Sequence, residues 1–238
     1  MKHSDSITSV QLVIIIIGTV LGITILPIPR FIIEGSNTAA PLVTLIGIAI
    51  CMIGILAIAA LGKKFSKSTL IGYSQKIIGK HLGNFFNMIV ILFFIILMGL
   101  ETRQFAEVLK GGLLPDTPIQ ISILLIIFIC IAIRFNNVST FAYIHFFYLP
   151  FIIVAILLII IPSIGDVEVY RLLPILGHDL NFQDYLGSAR FAIQALANFL
   201  VISMVIPYMK NPNKSMKSSF WGLLIGGFFL WGRSEEHT

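Results

Sequence analysis

Several uninterrupted apolar runs, each about the length that carries an α-helix across a bilayer, set the first limit on this chain. The opening run extends from near Ile7 to near Ile33, and a spanning helix needs only about 20 such residues. With 57% hydrophobic residues, 11% charged residues and a mean hydropathy of +0.98, a soluble globular domain is excluded. The expectation is an all-α polytopic membrane protein. The first run is too long for a signal peptide and lacks a small-residue cleavage site, so it reads as a retained span. A single transmembrane domain is expected over residues 1–232, with spans near 8–33, 39–61, 84–110, 119–134, 138–161, 188–208 and 219–232.

Local signals punctuate these runs. Thr8 followed by Gln11 forms a capping-box pattern that starts span 1. Ser68 to Leu82 reads as an amphipathic segment, with Leu70, Tyr73, Ile77 and Ile78 on one side and Gln75, Lys76 and Lys80 on the other. Pro115 and Pro118 mark a turn, Pro150 is expected to kink span 5, and Pro162 to Tyr185 is the longest polar stretch. Orientation follows from counting Lys and Arg by loop parity. Lys2, Lys63, Lys64, Lys67, Lys76, Lys80, Arg134, Lys210, Lys214 and Lys217 fall on one side, whereas nearly all acidic residues fall on the other. The N-terminus is therefore expected in the cytoplasm. The formal charge of +5 follows this distribution and needs no nucleic acid.

Within span 1, Gly18, Thr19, Gly22, Thr24, Pro27 and Pro29 interrupt an otherwise uniform apolar helix. Gly and Pro cost about 1 and about 3 kcal/mol relative to Ala in a helix interior, so regular winding is expensive here. Inside a bilayer, unwound backbone is tolerated only where it is buried in protein or lines a polar cavity. A broken helix would form half of a small-solute site, its amides facing a carboxylate. Gly at i and i+4 is equally the small-xxx-small pattern of a close-packed helix pair. From the residues alone both readings stand.

The end of the chain changes character abruptly. After Gly226 to Trp231, Arg233, Glu235 and Glu236 place charges where hydrocarbon is expected. Residues 233–238 are similar to the translation of a widely used sequencing-library adapter. The expectation is a non-native tail on a protein truncated after about seven helices.

The ordered motifs now carry a resemblance. Gly18 to Pro27 is similar to the glycine-broken first helix of the amino acid–polyamine–organocation (APC) transporter superfamily. Within it, the chain most resembles the spore germination permease family, the B subunits of nutrient germinant receptors. The segments that match are Thr8 to Gln11, Tyr73 to Lys80, Leu113 to Pro118, Leu172 to Ile175 and Ile206 to Pro212. The resemblance implies a LeuT-like bundle of two inverted five-helix repeats (5+5), with spans 1 and 6 broken side by side at a midplane pocket. Span 6 departs from the usual Gly-rich break, with Ala195-Leu196-Ala197-Asn198-Phe199 in its place. It also implies a multi-pass subunit of the spore inner membrane that binds an amino acid-like nutrient. Its expected partners are an A-type membrane subunit and a C-type lipoprotein. A proton- or sodium-coupled amino acid permease is the alternative.

The expected ligand-binding residues are Gly18, Thr19, Val20 and Gly22 on span 1, with Gln194 and Asn198 on span 6. Glu101 and Gln104 are assigned to an outer vestibule, since Glu101 lies about 25 Å along span 3 from Asn84. Arg103 and Glu107 are placed to pair with each other at a helix end. Tyr148 is assigned to the cavity lining, with Pro150 and His145 beside it on span 5; an aromatic core contact is the competing reading for all three. The sequence holds no paired carboxylates, metal-ligand spacing or nucleophile elbow, so neither an enzyme nor a cofactor is expected. Cys51 and Cys130 both lie in spans and read as free thiols. Long-read sequencing of the locus is expected to show the open frame continuing past Trp231 in place of the Arg233–Thr238 codons; a genuine stop codon after Thr238 would remove that expectation.

Overall fold

A computed structural model describes residues 6–22, 28–134, 137–163 and 181–235, and among these the regular elements are helical. In chain order they are α1 (Ser9–Leu21), α2 (Ile28–Ser36), α3 (Ala40–Lys64), α4 (Leu70–Ile78) and α5 (Lys80–Gly112). There follow α6 (Ile119–Arg134), α7 (Val138–Ser163), α8 (Phe182–Ala197), α9 (Ile202–Val205) and α10 (Ser215–Glu235). Three stretches among the described residues are long and apolar enough to cross a membrane: Pro29–Lys64, Lys80–Gly112 and Val138–Leu158. Ser9–Leu21 and Ile119–Ala132 are shorter apolar helices. The chain divides into two compact units, Met1–Thr69 with Val138–Thr238, and Leu70–Asn137.

The first unit is built around α1. Thr8 Oγ1 accepts from the Gln11 amide at 3.2 Å, and Gln11 Oε1 accepts from the Thr8 amide at 2.8 Å. This is the capping box read from the sequence, and it satisfies two donors that a helix start leaves open. Ile7, just before the cap, is extended and inserts between two groups of a distant segment. Its amide donates to the Tyr208 carbonyl at 2.8 Å, and its carbonyl accepts from the Lys210 amide at 2.9 Å. The entry of α1 is thereby tied to the exit of the segment that follows α9. Ile7 and Leu12 are both fully buried in one hydrophobic cluster, so apolar packing reinforces the cap.

Helix α1 is buried on several sides. Leu12, Ile15, Ile16 and Val20 belong to a core shared with α3, α9 and α10, whereas Ile17 and Leu21 pack with Leu149 and Ile156 of α7. Along α10 the contact is close because glycines face it. A Cβ on Gly222 would stand 2.8 Å from Ile16 Cβ, and one on Gly226 would stand 3.1 Å from Val20 Cβ. The matched steps of four, 222 to 226 against 16 to 20, mean that α1 and α10 run parallel. Helix α3 packs in turn on α10 and on the 206–208 turn, where a Gly227 Cβ would meet Ile48 at 2.9 Å and a Gly62 Cβ would meet Ile206 at 2.8 Å. Buried Ser215 Oγ at the start of α10 donates to the Ala59 carbonyl of α3 at 3.1 Å. Cys51 is buried and Cys130 exposed, and both are free.

The second unit holds α4, α5 and α6. The chain turns between α4 and α5 at Gly79, whose φ of +84° suits glycine and few other residues. Buried Ser74 donates to Asn87 Oδ1 at 2.7 Å, and Asn87 Nδ2 donates to the Ile71 carbonyl at 3.0 Å. Leu70 and Tyr73 are buried as the amphipathic pattern implied, but Ile77 and Ile78 are exposed. Arg103 and Glu107 pair at 2.7 Å, as their spacing predicted; an exposed pair of this kind contributes little to stability.

The glycine contacts of α10 generate a stability prediction. Gly222→Ala places a methyl against the stem of Ile16, and overpacking of this kind costs about 1–3 kcal/mol. A lower melting temperature of the detergent-solubilised chain is expected. Ser215→Ala, which removes one interhelical bond worth about 0.6 kcal/mol, should shift it less.

Candidate ligand site at two helix interruptions

The opening apolar run is interrupted, and the interruption is displaced towards the end of the expected window. Helix α1 stays wound through Gly18, Thr19, Val20 and Leu21 and ends at Gly22, where ψ turns to −122°. Residues 23–27 lie outside the described residues, and winding resumes at Ile28. A 13-residue helix is about 20 Å long, short of a bilayer's hydrocarbon core of about 30 Å, so α1 alone is too short to span it. The end of α1 at Gly22 is the carbonyl end of its ladder, the negative end of the helix dipole.

The two glycines have different surroundings. A Cβ on Gly18 would lie 2.7 Å from His145 Cδ2 and 3.0 Å from Tyr148 Oη, so Gly18 is where α7 approaches α1 most closely. A Cβ on Gly22 would meet only the carbonyl oxygens of Gly18 and Thr19 among the described residues. Gly18 serves packing, and Gly22 sits at the break. The Thr19 hydroxyl is half-buried and donates to the Ile16 carbonyl at 2.9 Å, leaving its lone pairs as acceptors. Val20 is fully buried and covered by α10.

Across from Gly18, α7 supplies a short polar–aromatic stack. The rings of Phe141 and His145 are 4.2 Å apart, and those of His145 and Tyr148 are 5.0 Å apart. His145 Nδ1 lies 3.0 Å from the Phe141 carbonyl; with Nδ1–H donating there, Nε2 is left as an acceptor. Tyr148, assigned to a cavity lining, is half-buried beside Gly18. His145 shares that position, so it is both the aromatic contact expected and a polar neighbour of α1.

A second interruption falls on span 6. Helix α8 ends at Ala197, the chain tightens into a 3-10 turn over Asn198–Val201, and four α-helical residues lead to another 3-10 turn at Ile206–Tyr208. The place that lacks glycines nonetheless loses α-winding at Asn198. This 3-10 turn packs against α1. The tie between Ile7 and Tyr208 fixes the two segments together at one end. From Ile7 to Gly22 is about 22 Å of α-rise, and from Tyr208 back to Asn198 is about 15–20 Å.

The expected site residues therefore separate. Gly18, Thr19, Gly22, Tyr148 and the backbone of Asn198 are gathered around α1. Gln194 is exposed on α8, and the Asn198 side chain lies outside the described residues. Glu101 and Gln104 are half-buried on α5 in the second unit. No group of three or more metal-ligating side chains occurs among the described residues. Sequence reading missed the role of Gly222 and Gly226, although their spacing of four within a span was the available signal.

Comparison with known proteins gives a consistent answer. The family model described as spore germination protein matches residues 6–231. The chain is 26% identical over 229 residues to spore germination protein YndE of Bacillus subtilis (strain 168), covering 95% of this chain and 62% of that protein. It is 22% identical over 228 residues to spore germination protein B2 of the same organism, covering 96% of this chain and 61% of the relative. With spore germination protein A2 it shares 30% identity over 167 residues, 70% of this chain and 46% of the relative. The chain thus spans about three-fifths of the length of the first two relatives. No solved structure matches it.

The contact at Gly18 is testable by a double-mutant cycle. Gly18→Ala is expected to lower the melting temperature, at a cost of about 1–3 kcal/mol. Tyr148→Phe removes the Oη that the new methyl meets, so the pair should couple by about 0.5 kcal/mol or more in the recovering direction.

Proposed function

The chain belongs to the spore germination protein family, and from that premise we propose that it is the integral-membrane subunit of a nutrient germinant receptor. In this reading a small nutrient with an amino acid-like head binds where α1 stops at Gly22, and binding triggers germination. One observation supports the reading above the rest: α1 ends at Gly22, the α8 segment loses α-winding at Asn198, and the 3-10 turn that begins there packs against α1. Interrupted helices in a bilayer are tolerated only where protein or a polar cavity receives the freed groups.

The polarity of the interruption refines the chemistry. The end of α1 presents carbonyls, together with the lone pairs of Thr19, and these suit an ammonium group. A carboxylate is received on the far side of the break, where α2 begins. Gly18 and Val20 then shape the site through packing and backbone, and Tyr148 and His145 form its α7 wall. Asn198, and Gln194 one turn earlier, contribute from span 6. The arrangement follows the LeuT-like 5+5 pattern that the resemblance implies, with the N-terminus in the cytoplasm and the chain in the spore inner membrane. Occupancy shifts the balance between two bundle arrangements, which requires that the nutrient bind one of them more tightly. An A-type membrane subunit and a C-type lipoprotein are the expected partners.

The test is nutrient binding by the receptor containing this chain. Thr19→Val preserves shape and removes the acceptor, so affinity for the effective amino acid should fall about tenfold while the melting temperature without ligand stays close to wild type. Unchanged affinity would exclude Thr19 from the site. Uptake of radiolabelled amino acids into proteoliposomes separates sensor from carrier: concentrative uptake driven by a proton or sodium gradient would replace the sensor reading with that of a coupled permease.

A further inference from the structure

A groove of about 280 Å³ opens between the starting turns of α1 and α10, away from both interruptions. Because the two helices run parallel, their N-termini lie at the same end of the unit. One wall is apolar, formed by Val10, Val13 and Trp221, with Val10 64% and Trp221 47% exposed. The other edge carries Lys214, Lys217 and the Ser218 side chain. Positions 214, 217, 218 and 221 follow helical spacing, so lysines, hydroxyl and indole share one face. Both lysines are exposed, neither ammonium has a hydrogen-bond or ion-pair partner among the described residues, and no carboxylate lines the groove.

We propose that this groove binds one anionic glycerophospholipid, its phosphate between Lys214 and Lys217 and an acyl chain along Val10, Val13 and Trp221. The charge is complementary, and it is reinforced by the positive ends of two helices of 13 and 21 residues. The apolar wall selects a lipid over a soluble anion: a free phosphate would satisfy the lysines and leave Val10 and Trp221 uncovered. The order along α10 is also that of a bilayer surface, with lysines first, the indole one turn deeper and Leu223, Leu224 and Ile225 beyond. Lysine and tryptophan anchor spans at that boundary, and each basic residue near an anionic surface strengthens the attraction. The inference needs only that the chain lies in a membrane, and it stands apart from nutrient binding.

Native mass spectrometry of the delipidated chain in mild detergent tests it, with dioleoylphosphatidylglycerol and dioleoylphosphatidylcholine as probes. One phosphatidylglycerol is expected to be retained about tenfold more tightly than phosphatidylcholine. Lys214→Gln with Lys217→Gln should abolish that preference, while Lys214→Arg with Lys217→Arg should keep it and guard against misfolding. Lys76→Gln with Lys80→Gln, neither of which lines the groove, should leave it unchanged. Equal phosphatidylglycerol retention by the wild type and the glutamine pair overturns the proposal. So does displacement of the lipid by free glycerol phosphate at equal concentration, which would mark a site for soluble anions. A lipid-free dimer that Trp221→Ala dissolves would assign the groove to a second copy and overturn it as well.

Discussion

Hydrocarbon offers no partner to a backbone amide or carbonyl, and the architecture of the first unit is a set of answers to that fact. Helix α1 meets it at its entry with a capping box and with the paired bonds of Ile7 to Tyr208 and Lys210. Those two bonds do more than satisfy groups. They hold the start of the first span against the end of the sixth, so that both segments are measured from one fixed point. Measured from that point, the two segments run similar lengths to Gly22 and to Asn198.

The same constraint explains why packing here depends on small residues. With apolar side chains equally content in lipid or in protein, helices associate through close contact and not through water exclusion. Gly18 lets α7 in, Gly222 and Gly226 let α10 in, and Gly62 admits Ile206. Each contact substitutes for the hydrophobic driving force that a soluble core would supply. Helix α1 uses two neighbours in this way, α7 and α10. An enclosed interruption is a condition for binding a polar solute, and it is also a condition for stability. The two roles share residues, so Gly18 can matter to a ligand without touching it.

Proposed site and proposed lipid groove divide the length of α1 between them. The groove lies at the capped start, where basic residues and a tryptophan stand together; the proposed solute site lies about 20 Å along the helix, at its carbonyl end. One end of the helix is positive and suits phosphate, and the other is negative and suits ammonium. A single short helix thus presents opposite chemistry at its two ends.

Much of this was legible in the chain before any coordinates. Apolar run length gave the helical membrane class, Thr8 and Gln11 gave the start of α1, and the i,i+4 spacing of Arg103 and Glu107 gave their ion pair. The ordered motifs gave the family. All of these depend on local rules, in which residues a few positions apart meet because of helical geometry. What the coordinates alone decided is which faces meet. Gly18 and Gly22 look alike in the sequence, yet one packs against His145 and Tyr148 and the other ends the helix. The spacing of Gly222 and Gly226 marked a close-packing face, but not that Ile16 and Val20 would seat against it. In water, hydropathy points each helix face inward or outward; in lipid every face is apolar, and only shape tells a protein neighbour from an acyl chain.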